Sequence, residues 1–438
     1  MITSNPTLNL LRQKIIFSTL VQYIGRVLQI VIAAVTIKLI SNFLDTNNYG
    51  IYASITEYAL FFSVAANLGI FANIIRQMAI NPSDGKTFIN SLALRIGTAI
   101  IFFAFGIIAL FIVGSNTLFI LCTAIFFGVL LLDFMTSVCD GMLQANYLMG
   151  RATLALVIGR VISLIALYGI IQYVEIPVGK ENFYGIMLVF STLIIGSIFT
   201  FFISFYFVAK KITLNWRIDG EFMWSIFKAG LPFGIINVIN SLYFRFLPDY
   251  FSHLALTSSE FATFSISFRI AQIMSLLSTF LMFSALPGIR EYIDQKHWQK
   301  VRTLYSKILL VLASAGAIVF IMGSLLGPTM LTLVTSKEYF LPEFWFILPL
   351  MLLLAAISYG YDLILITLFA FDKTKWLLSR ECIAISVALI FFVASLFVGD
   401  TQGRILVVIL GALAGESIMV ITGIIKMRKI LKDVEEYE

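Results

Sequence analysis

Charged residues are scarce in this sequence. Aspartate, glutamate, lysine and arginine make up 12% of its 438 residues, while hydrophobic residues make up 60%. Soluble domains carry about 25% charged residues, so the composition excludes an ordinary soluble protein. The mean hydropathy of +0.97 points the same way. The sequence therefore predicts an integral membrane protein with most of its mass in the bilayer.

Cysteine and histidine are also rare, which excludes several kinds of chemistry. The three cysteines, Cys122, Cys139 and Cys382, lie in apolar runs, so no disulfide framework is predicted. The two histidines, His253 and His297, belong to no H-E-x-x-H motif, and no metal site or resident cofactor is predicted. The sequence also lacks a G-x-x-x-x-G-K-[ST] motif, which excludes a built-in P-loop ATPase. Because the loops are too short for a catalytic domain, the protein is predicted not to be an enzyme.

Long apolar runs dominate what is present. A membrane-spanning helix needs about 20 mainly apolar residues, and twelve such spans fit the chain, so the predicted fold is all-α and polytopic. The spans are 15–40, 49–75, 89–113, 117–142, 152–173, 182–208, 224–247, 261–287, 304–327, 343–369, 374–398 and 404–426. The first span is too long for a signal peptide and is predicted to stay as a signal-anchor.

The lysines and arginines between the spans predict the orientation. With the N-terminus inside, the inner connections hold eighteen of them, and the outer loops hold only Lys180, Lys337 and Arg404. Positive residues concentrate on the cytoplasmic side of membrane proteins, so both termini are predicted to be cytoplasmic. This placement, with attraction to anionic lipid headgroups, accounts for the net charge of +6 without a nucleic-acid partner.

Weak internal similarity suggests two repeated halves. The segments 140–151 and 362–373 each begin with aspartate and reach a basic residue eleven positions later, at an offset of 222. The outer loops 41–49 and 252–261 correspond at an offset of about 211. We therefore predict two six-helix lobes, 1–208 and 224–438, joined by a cytoplasmic linker at 209–223. Since six is even, the lobes should be related by a pseudo-two-fold axis along the membrane normal.

Polar residues form a stripe inside the first span. Ser18, Gln22, Arg26, Gln29 and Thr36 recur at helical spacing, so they share one face. An arginine at mid-membrane costs about 2.5 to 3.5 kcal/mol on insertion scales, and such residues face a bundle interior or an aqueous cavity. A water-accessible cavity beside Arg26 is the prediction.

Polar faces recur on spans 2, 7 and 8, and on span 8 the side chains of Ser265, Gln272 and Thr279 share the face of Arg269. Lys228, Arg245, Asp140 and Asp362 lie near span ends, where a structural role is as well supported as a functional one, and a structural role is favoured for the adjacent Arg380 and Glu381. The predicted substrate-cavity residues are Arg26, Gln22, Gln29, Glu57, Asn237, Asn240, Arg245, Arg269 and Gln272.

Glu57 and Arg269 occupy corresponding places in the two halves, at an offset of 212. Each lies about eight residues into the second helix of its half. We predict that they form an outer gate, paired when the outer mouth closes. For Glu57, binding of a proton or Na⁺ and a role in holding an arginine stay open alternatives.

Several local patterns resemble one family. They are Leu39 to Tyr52 (LISNFLDTNNYGIY), Asn67-Leu68-Gly69 with Arg76, Gln144 with Gly150-Arg151, Ala229 to Gly234 (AGLPFG), and Tyr243-Phe244-Arg245 followed by Asp249. With twelve spans in two halves, they resemble the bacterial polysaccharide repeat-unit (O-antigen) flippases of the multidrug/oligosaccharidyl-lipid/polysaccharide exporter superfamily.

The resemblance implies a flippase for undecaprenyl-pyrophosphate-linked oligosaccharide in the bacterial cytoplasmic (inner) membrane, working by alternating access. Membrane lipids, a glycan polymerase and a chain-length regulator are the implied partners, and H⁺ or Na⁺ coupling is left open. An ion-coupled small-molecule or drug exporter, a lipid II flippase and a non-transporting scaffold for glycan assembly are the alternatives. Drug antiporters usually carry an acidic residue in the first helix, which span 1 lacks; lipid II flippases usually have an Arg-Asp pair there, whereas Arg26 is followed by Val27.

Overall fold

The structure is a computed structural model that describes residues 6–146, 148–174, 181–335, 339 and 341–435. All regular secondary structure in these ranges is helical. A π-helix, Leu242–Phe246, joins α8 to α9, and a 3-10 turn, Pro342–Phe344, precedes α12. The helices are α1 (Pro6–Phe43), α2 (Thr46–Asn67), α3 (Ile70–Ile80), α4 (Gly85–Val113), α5 (Thr117–Ala145), α6 (Met149–Tyr173), α7 (Glu181–Ala209), α8 (Gly220–Ser241), α9 (Leu247–Ala255), α10 (Ser258–Asp294), α11 (Trp298–Val334), α12 (Ile347–Ala370), α13 (Thr374–Ser395) and α14 (Thr401–Glu435).

The helices confirm an all-α, multi-pass fold. Within the described ranges, eight helices are long and apolar enough to cross a membrane: α4, α5, α6, α7, α11, α12, α13 and α14. If a bent pair counts as one span, a ninth is formed by Gly220–Pro232 and Gly234–Ala255, with a 49° bend inside α8. The remaining three of the twelve predicted spans lie on α1, on α2 with α3, and on α10, all of which are helical.

One predicted span is not a single helix. The run 49–75 is interrupted after Asn67, where Leu68 and Gly69 adopt left-handed backbone angles with φ of 35° and 68°. Glycine adopts this conformation freely, and leucine does so at a cost. Gly69 also lies against the backbone of α8, since a Cβ there would overlap the carbonyl oxygen of Gly230. The break therefore depends on packing against a distant segment, and the local pattern of apolar residues did not reveal it.

Contacts divide the chain into two compact units. Unit 1 contains Met1–Asn48 and Ser54–Gly234, and unit 2 contains Tyr49–Ala53 and Ile235–Glu438. The division after Gly234 lies inside α8, whereas the predicted C-terminal lobe starts at residue 224. The pseudo-two-fold relation of the lobes stays a prediction.

Unit 1 packs its helices through small residues. α6 meets α7 at Gly159 and Gly196, where a Cβ on either glycine would come within 2.7 Å of the other's carbonyl oxygen. Ser163 continues this face of α6 toward Gly196. Small residues let transmembrane helices approach closely enough for dispersion contacts to hold them.

The linker between α7 and α8 is bound to the start of α4. The Asn90 side chain, fully buried, donates to the carbonyl of Arg217 at 2.9 Å and accepts from the backbone N–H of Asp219 at 2.6 Å. Lys86 Nζ lies 2.7 Å from Asp219 Oδ2. We call this set of contacts, made by Lys86 and Asn90 with Arg217 and Asp219, the linker latch. It fixes the end of unit 1 that leads into α8.

Unit 2 is built around α12, which packs against α10, α11 and α14. Its core includes Tyr359, Tyr361 and Leu363 from α12, with Tyr243 from the π-helix and Met419 from α14. Three of these core side chains are tyrosines, whose hydroxyl groups need partners inside the membrane. The hydroxyls of Tyr243 and Tyr361 belong to the polar network described below.

Candidate functional site

The polar face of α10 is the clearest functional feature of unit 2. Ser265, Arg269 and Gln272 follow one another at spacings of four and three on an unbroken helix, so they lie on one side of it. The half-buried Arg269 guanidinium lies 5.0 Å from the ring centre of Tyr52 and 6.0 Å from that of Tyr49. Arg269 Nη1 also donates to the Tyr52 hydroxyl at 3.4 Å. The predicted cavity residue therefore has an aromatic wall on one side.

Three tyrosines form this wall. Tyr49 contacts Tyr52 and Tyr339, with ring centres 5.5 and 5.4 Å apart, and all three rings are almost fully buried. Thr263 Oγ1 donates to the Tyr339 carbonyl at 2.9 Å and ties the cluster to α10. None of these tyrosines was among the predicted site residues. Tyr49 and Tyr52 lie in the Leu39–Tyr52 pattern that carries the family resemblance, whereas Tyr339 lies in none of the patterns named above.

Two polar atoms on the same α10 face are buried without a hydrogen-bond partner among the described residues. They are the hydroxyl oxygen of Ser265 and the amide nitrogen Nε2 of Gln272. Leaving a buried donor unpaired costs about 1 to 3 kcal/mol, and native structures rarely do so without a reason. A polar ligand, or water that such a ligand displaces, would satisfy both groups.

The predicted residues of span 7 lie where its helix is irregular. Asn240 Nδ2 donates to the Tyr243 hydroxyl at 2.9 Å, so this amide belongs to an internal network. Asn237 and Arg245 are half-buried, and Arg245 lies in the π-helix. Short π-helical insertions in α-helices occur frequently at functional sites.

A second polar network in unit 2 involves two carboxylates. The Tyr243 hydroxyl donates to Glu416 Oε2 at 3.2 Å, and the Tyr361 hydroxyl donates to Glu381 Oε1 at 2.7 Å. Arg380, next to Glu381 in sequence, directs its guanidinium over the Trp376 ring at 5.5 Å. Both carboxylates are visible in the sequence as intramembrane charges, but neither was placed in the predicted site.

In unit 1, the side chains of Gln22 and Arg26 lie outside the described residues, so their predicted place in a cavity stays a prediction. Gln29 is half-buried on α1, and Glu57 is buried on α2. The predicted gate between Glu57 and Arg269 likewise stays a prediction.

Unit 1 also contains a buried arginine that was not placed in the site. Arg95 donates to Asn67 Oδ1 at 2.7 Å and to Ser137 Oγ at 3.3 Å, and its guanidinium lies 4.1 Å from the Phe134 ring centre. It forms no ion pair with the described carboxylates. Because Asn67 is the last residue of α2, Arg95 supports the α2–α3 break with a charge suited to a helix C-terminus.

Within the described ranges, no group of three or more metal-ligating side chains comes together. The chemistry of the described site is therefore that of arginine, amides, hydroxyls and aromatic rings. Side chains of these types can hydrogen-bond polar or anionic groups.

The helical arrangement is that of a known class of membrane transporter. A multidrug resistance MATE family transporter of the MOP superfamily, in its outward-facing conformation, superposes with a TM-score of 0.68 at 14% identity, covering 96% of each chain. A MOP superfamily transporter from Pyrococcus furiosus, whose title describes a binding pocket of reverse polarity, gives 0.65 at 14% identity over 96% of each chain. A mutant of the Vibrio cholerae MATE transporter VcmN gives 0.60 at 15% identity over 98% of this chain and 99% of that one. The protein thus has the MOP superfamily fold.

The sequence then identifies the family within this class. Residues 11–291 match the profile of the family described as "Polysaccharide biosynthesis protein". The chain belongs to that family and is a multi-pass membrane transport protein. No curated protein matches the sequence significantly.

Proposed function

We propose that this protein is a flippase that moves undecaprenyl-pyrophosphate-linked oligosaccharide repeat units across the bacterial cytoplasmic membrane by alternating access. The observation that carries the proposal is the α10 face in unit 2. There an intramembrane arginine lies against two tyrosines, beside Ser265 and Gln272, whose buried polar atoms have no described partner.

The chemistry of this face suits the two parts of such a substrate. The pyrophosphate is anionic, and guanidinium groups bind phosphate oxygens with two parallel hydrogen bonds. The attraction is stronger in a site of low dielectric constant than in water. Amide and hydroxyl groups such as those of Gln272 and Ser265 pair with sugar hydroxyls. Membership in a polysaccharide biosynthesis family supports a glycan as the cargo.

The proposal includes an orientation. Lysines and arginines concentrate in the connections predicted to be cytoplasmic, so the substrate would load from the inner leaflet and leave toward the periplasm. There a glycan polymerase and a chain-length regulator would be the next proteins to act on it. An O-antigen repeat unit, destined for lipopolysaccharide, is the form of cargo proposed here.

An ion-coupled small-molecule exporter is the second candidate, because the fold is shared with multidrug MATE transporters. The two candidates differ in cargo. A flippase presents a lipid-linked glycan at the outer face, and an exporter lowers the cellular concentration of a soluble compound. Loss of glycan export without any change in drug sensitivity favours the flippase.

The test is deletion of the gene, followed by measurement of lipid-linked glycan on each side of the cytoplasmic membrane. We expect the glycan to accumulate on the cytoplasmic side and surface polysaccharide to be lost. The wild-type gene and an Arg217→Ala control, altered at an exposed linker residue, should both restore export, whereas Arg269→Ala should not. Normal surface polysaccharide in the deletion strain would contradict the proposal.

A further inference from the structure

Two carboxylates are buried inside the membrane-spanning part of unit 2. Glu381 lies on α13 and Glu416 on α14, and their relative exposures are 0% and 1%. Both helices are long and apolar enough to span a membrane. α13 packs against α14, and a Cβ on Gly415, next to Glu416, would lie 3.3 Å from the carbonyl oxygen of Ala384, one turn from Glu381. The two glutamates therefore belong to one helix interface, and they also interact electrostatically.

The partners of this pair are hydroxyl groups and other acids. Tyr361 donates to Glu381 Oε1, and Tyr243, held by Asn240, donates to Glu416 Oε2. Asp362 is the next charged group facing the pair. Among the described residues neither glutamate forms an ion pair, and Arg380 stacks on Trp376 instead.

An intramembrane carboxylate of unit 1 provides an internal comparison. Asp133 on α5 accepts a hydrogen bond from Ser197 at 3.0 Å and is attracted electrostatically by Arg160. A basic neighbour reduces the cost of a charged aspartate at membrane depth. Glu381 and Glu416 have no such neighbour in the described part of the chain, so no opposite charge reduces that cost for them.

Two negative charges side by side in a dry site are costly. Burying one unpaired ion costs several kcal/mol, and a second like charge adds repulsion. Two carboxylates that share a site therefore do not both ionise. Each tyrosine hydroxyl already donates its single proton, and Glu381 Oε2 is buried without a hydrogen-bond partner in the described structure. That oxygen is the place for an additional proton.

We propose that Glu381 and Glu416 form a proton-binding site in which the pair holds one proton, with Tyr361 and Tyr243 as hydrogen-bond donors. The proton comes from solvent and bonds to a carboxylate oxygen, and it returns to solvent when the site opens. This inference does not depend on the identity of the cargo.

The site is placed to link proton binding to helix geometry. Tyr243 lies in the π-helix, where the regular hydrogen-bonding of the α8–α9 segment is interrupted. A shift of this segment would move the Tyr243 hydroxyl away from Glu416 and change the stability of the protonated pair. By linkage, binding of the proton then favours the helix arrangement in which Tyr243 bonds to Glu416 and Tyr361 bonds to Glu381.

The test is infrared difference spectroscopy on the full-length protein in lipid nanodiscs, comparing acidic with alkaline buffer. We expect the wild type to show the carbonyl band of a buried carboxylic acid that disappears in alkali. Glu381→Gln and Glu416→Gln should each remove this band, and the matched variant Asp133→Asn should retain it. An unchanged band in both glutamine variants would overturn the proposal.

Two further experiments cover the cases that these variants leave open. If a glutamine variant does not fold, Tyr361→Phe replaces it, and loss of the hydrogen bond to Glu381 should displace the band. A band identical to that of the wild type would count against the site. A titration with Na⁺ at constant pH tests the competing ligand. Loss of the band on addition of Na⁺ would assign the pair to a metal cation and overturn the proton assignment.

Discussion

The guanidinium of Arg269 and the phenol of Tyr52 make two contacts at once: the ring centre lies 5.0 Å from the guanidinium carbon, and the hydroxyl accepts a hydrogen bond. Both residues belong to unit 2, although 217 positions separate them in the chain. The neutral ring and the hydroxyl therefore orient the guanidinium. Under the proposed function, this is the group that would contact the pyrophosphate.

Substitutions at Arg269 and Tyr52 should distinguish the effect of the arginine charge from the effect of its orientation by the ring. Arg269→Ala is expected to abolish glycan export, and Arg269→Lys to retain only part of it, since an ammonium lacks the planar donor fork. Tyr52→Phe keeps the ring and should have a small effect. Tyr52→Ala loses a cation–π contact worth about 2 kcal/mol when desolvated, and should weaken apparent substrate affinity roughly thirty-fold. The measurement is export rate against substrate concentration, and equal activity of all four variants would remove the pair from the site.

The α2–α3 break should be intolerant of any side chain at Gly69. Gly69→Ala would place a Cβ on a residue with φ of 68° and against the Gly230 carbonyl. The left-handed backbone alone costs roughly 1 to 2 kcal/mol, and the overlap adds to it. Gly97→Ala is the matched control, because a Cβ there has nothing within 4 Å. Thermal unfolding in detergent should show a lower midpoint for Gly69→Ala only, and equal midpoints would contradict this account of the break.

The linker latch should depend more on Asn90 than on Lys86. Asn90 is fully buried and pairs with two backbone groups of the linker, so Asn90→Ala removes two hydrogen bonds that contribute about 0.5 to 1.5 kcal/mol each. The Lys86–Asp219 pair is partly exposed, so Lys86→Ala should have a small effect. Hydrogen exchange of residues 210–219 should accelerate strongly in Asn90→Ala and slightly in Lys86→Ala. The reverse order would show that the ion pair is the main constraint.

The stability of the linker latch should depend on pH only in the acidic range. The hydrogen bond from Lys86 holds the pKa of Asp219 below its usual value. A carboxyl with a lowered folded-state pKa contributes its full stability above the unfolded value of about 3.9 and loses it as pH falls through the folded value. Linker exchange, corrected for its intrinsic pH dependence, should therefore be constant from neutrality down to about pH 4 and rise below it. A rise at weakly acidic pH would assign the effect to another group.

Cysteine labelling should show which face of α1 meets water. In a background without Cys122, Cys139 and Cys382, Gln29→Cys should react with a membrane-impermeant thiol reagent. Val31, two positions on and exposed on the opposite face, should stay unlabelled as cysteine because it faces lipid. Asn47→Cys, exposed at the start of α2, provides the positive control. Equal reactivity at positions 29 and 31 would mean that α1 has no polar, cavity-facing side.

Apolar runs were sufficient to predict most of the helices, because span length and hydropathy are local properties. The predicted span 374–398 corresponds to α13, and 117–142 to α5, within three residues at each end. The break at Leu68–Gly69 was not predictable in this way, since it depends on Gly230 and Gly234 in a distant helix. The π-helix around Tyr243 has no local sequence signal either.

In the candidate site, too, local features were predictable from the sequence and long-range contacts were not. Helical spacing placed Ser265, Arg269 and Gln272 on one face of α10, as the structure has them. The contact of Arg269 with Tyr52 joins segments far apart in sequence and required coordinates. The hydrogen-bond partner of Glu381 also required coordinates, since Tyr361 lies 20 positions away in the chain.

The central claim is that this protein moves a lipid-linked glycan across a bilayer, and reconstitution measures it directly. Purified protein is inserted into vesicles that contain undecaprenyl-pyrophosphate oligosaccharide, and a membrane-impermeant glycosidase added outside reports how fast the inner-leaflet glycan becomes accessible. We expect the wild type to expose the inner pool, Arg217→Ala to match it, and Arg269→Ala to stay at the rate of protein-free vesicles. If wild-type vesicles expose the inner pool no faster than protein-free vesicles, the claim is wrong.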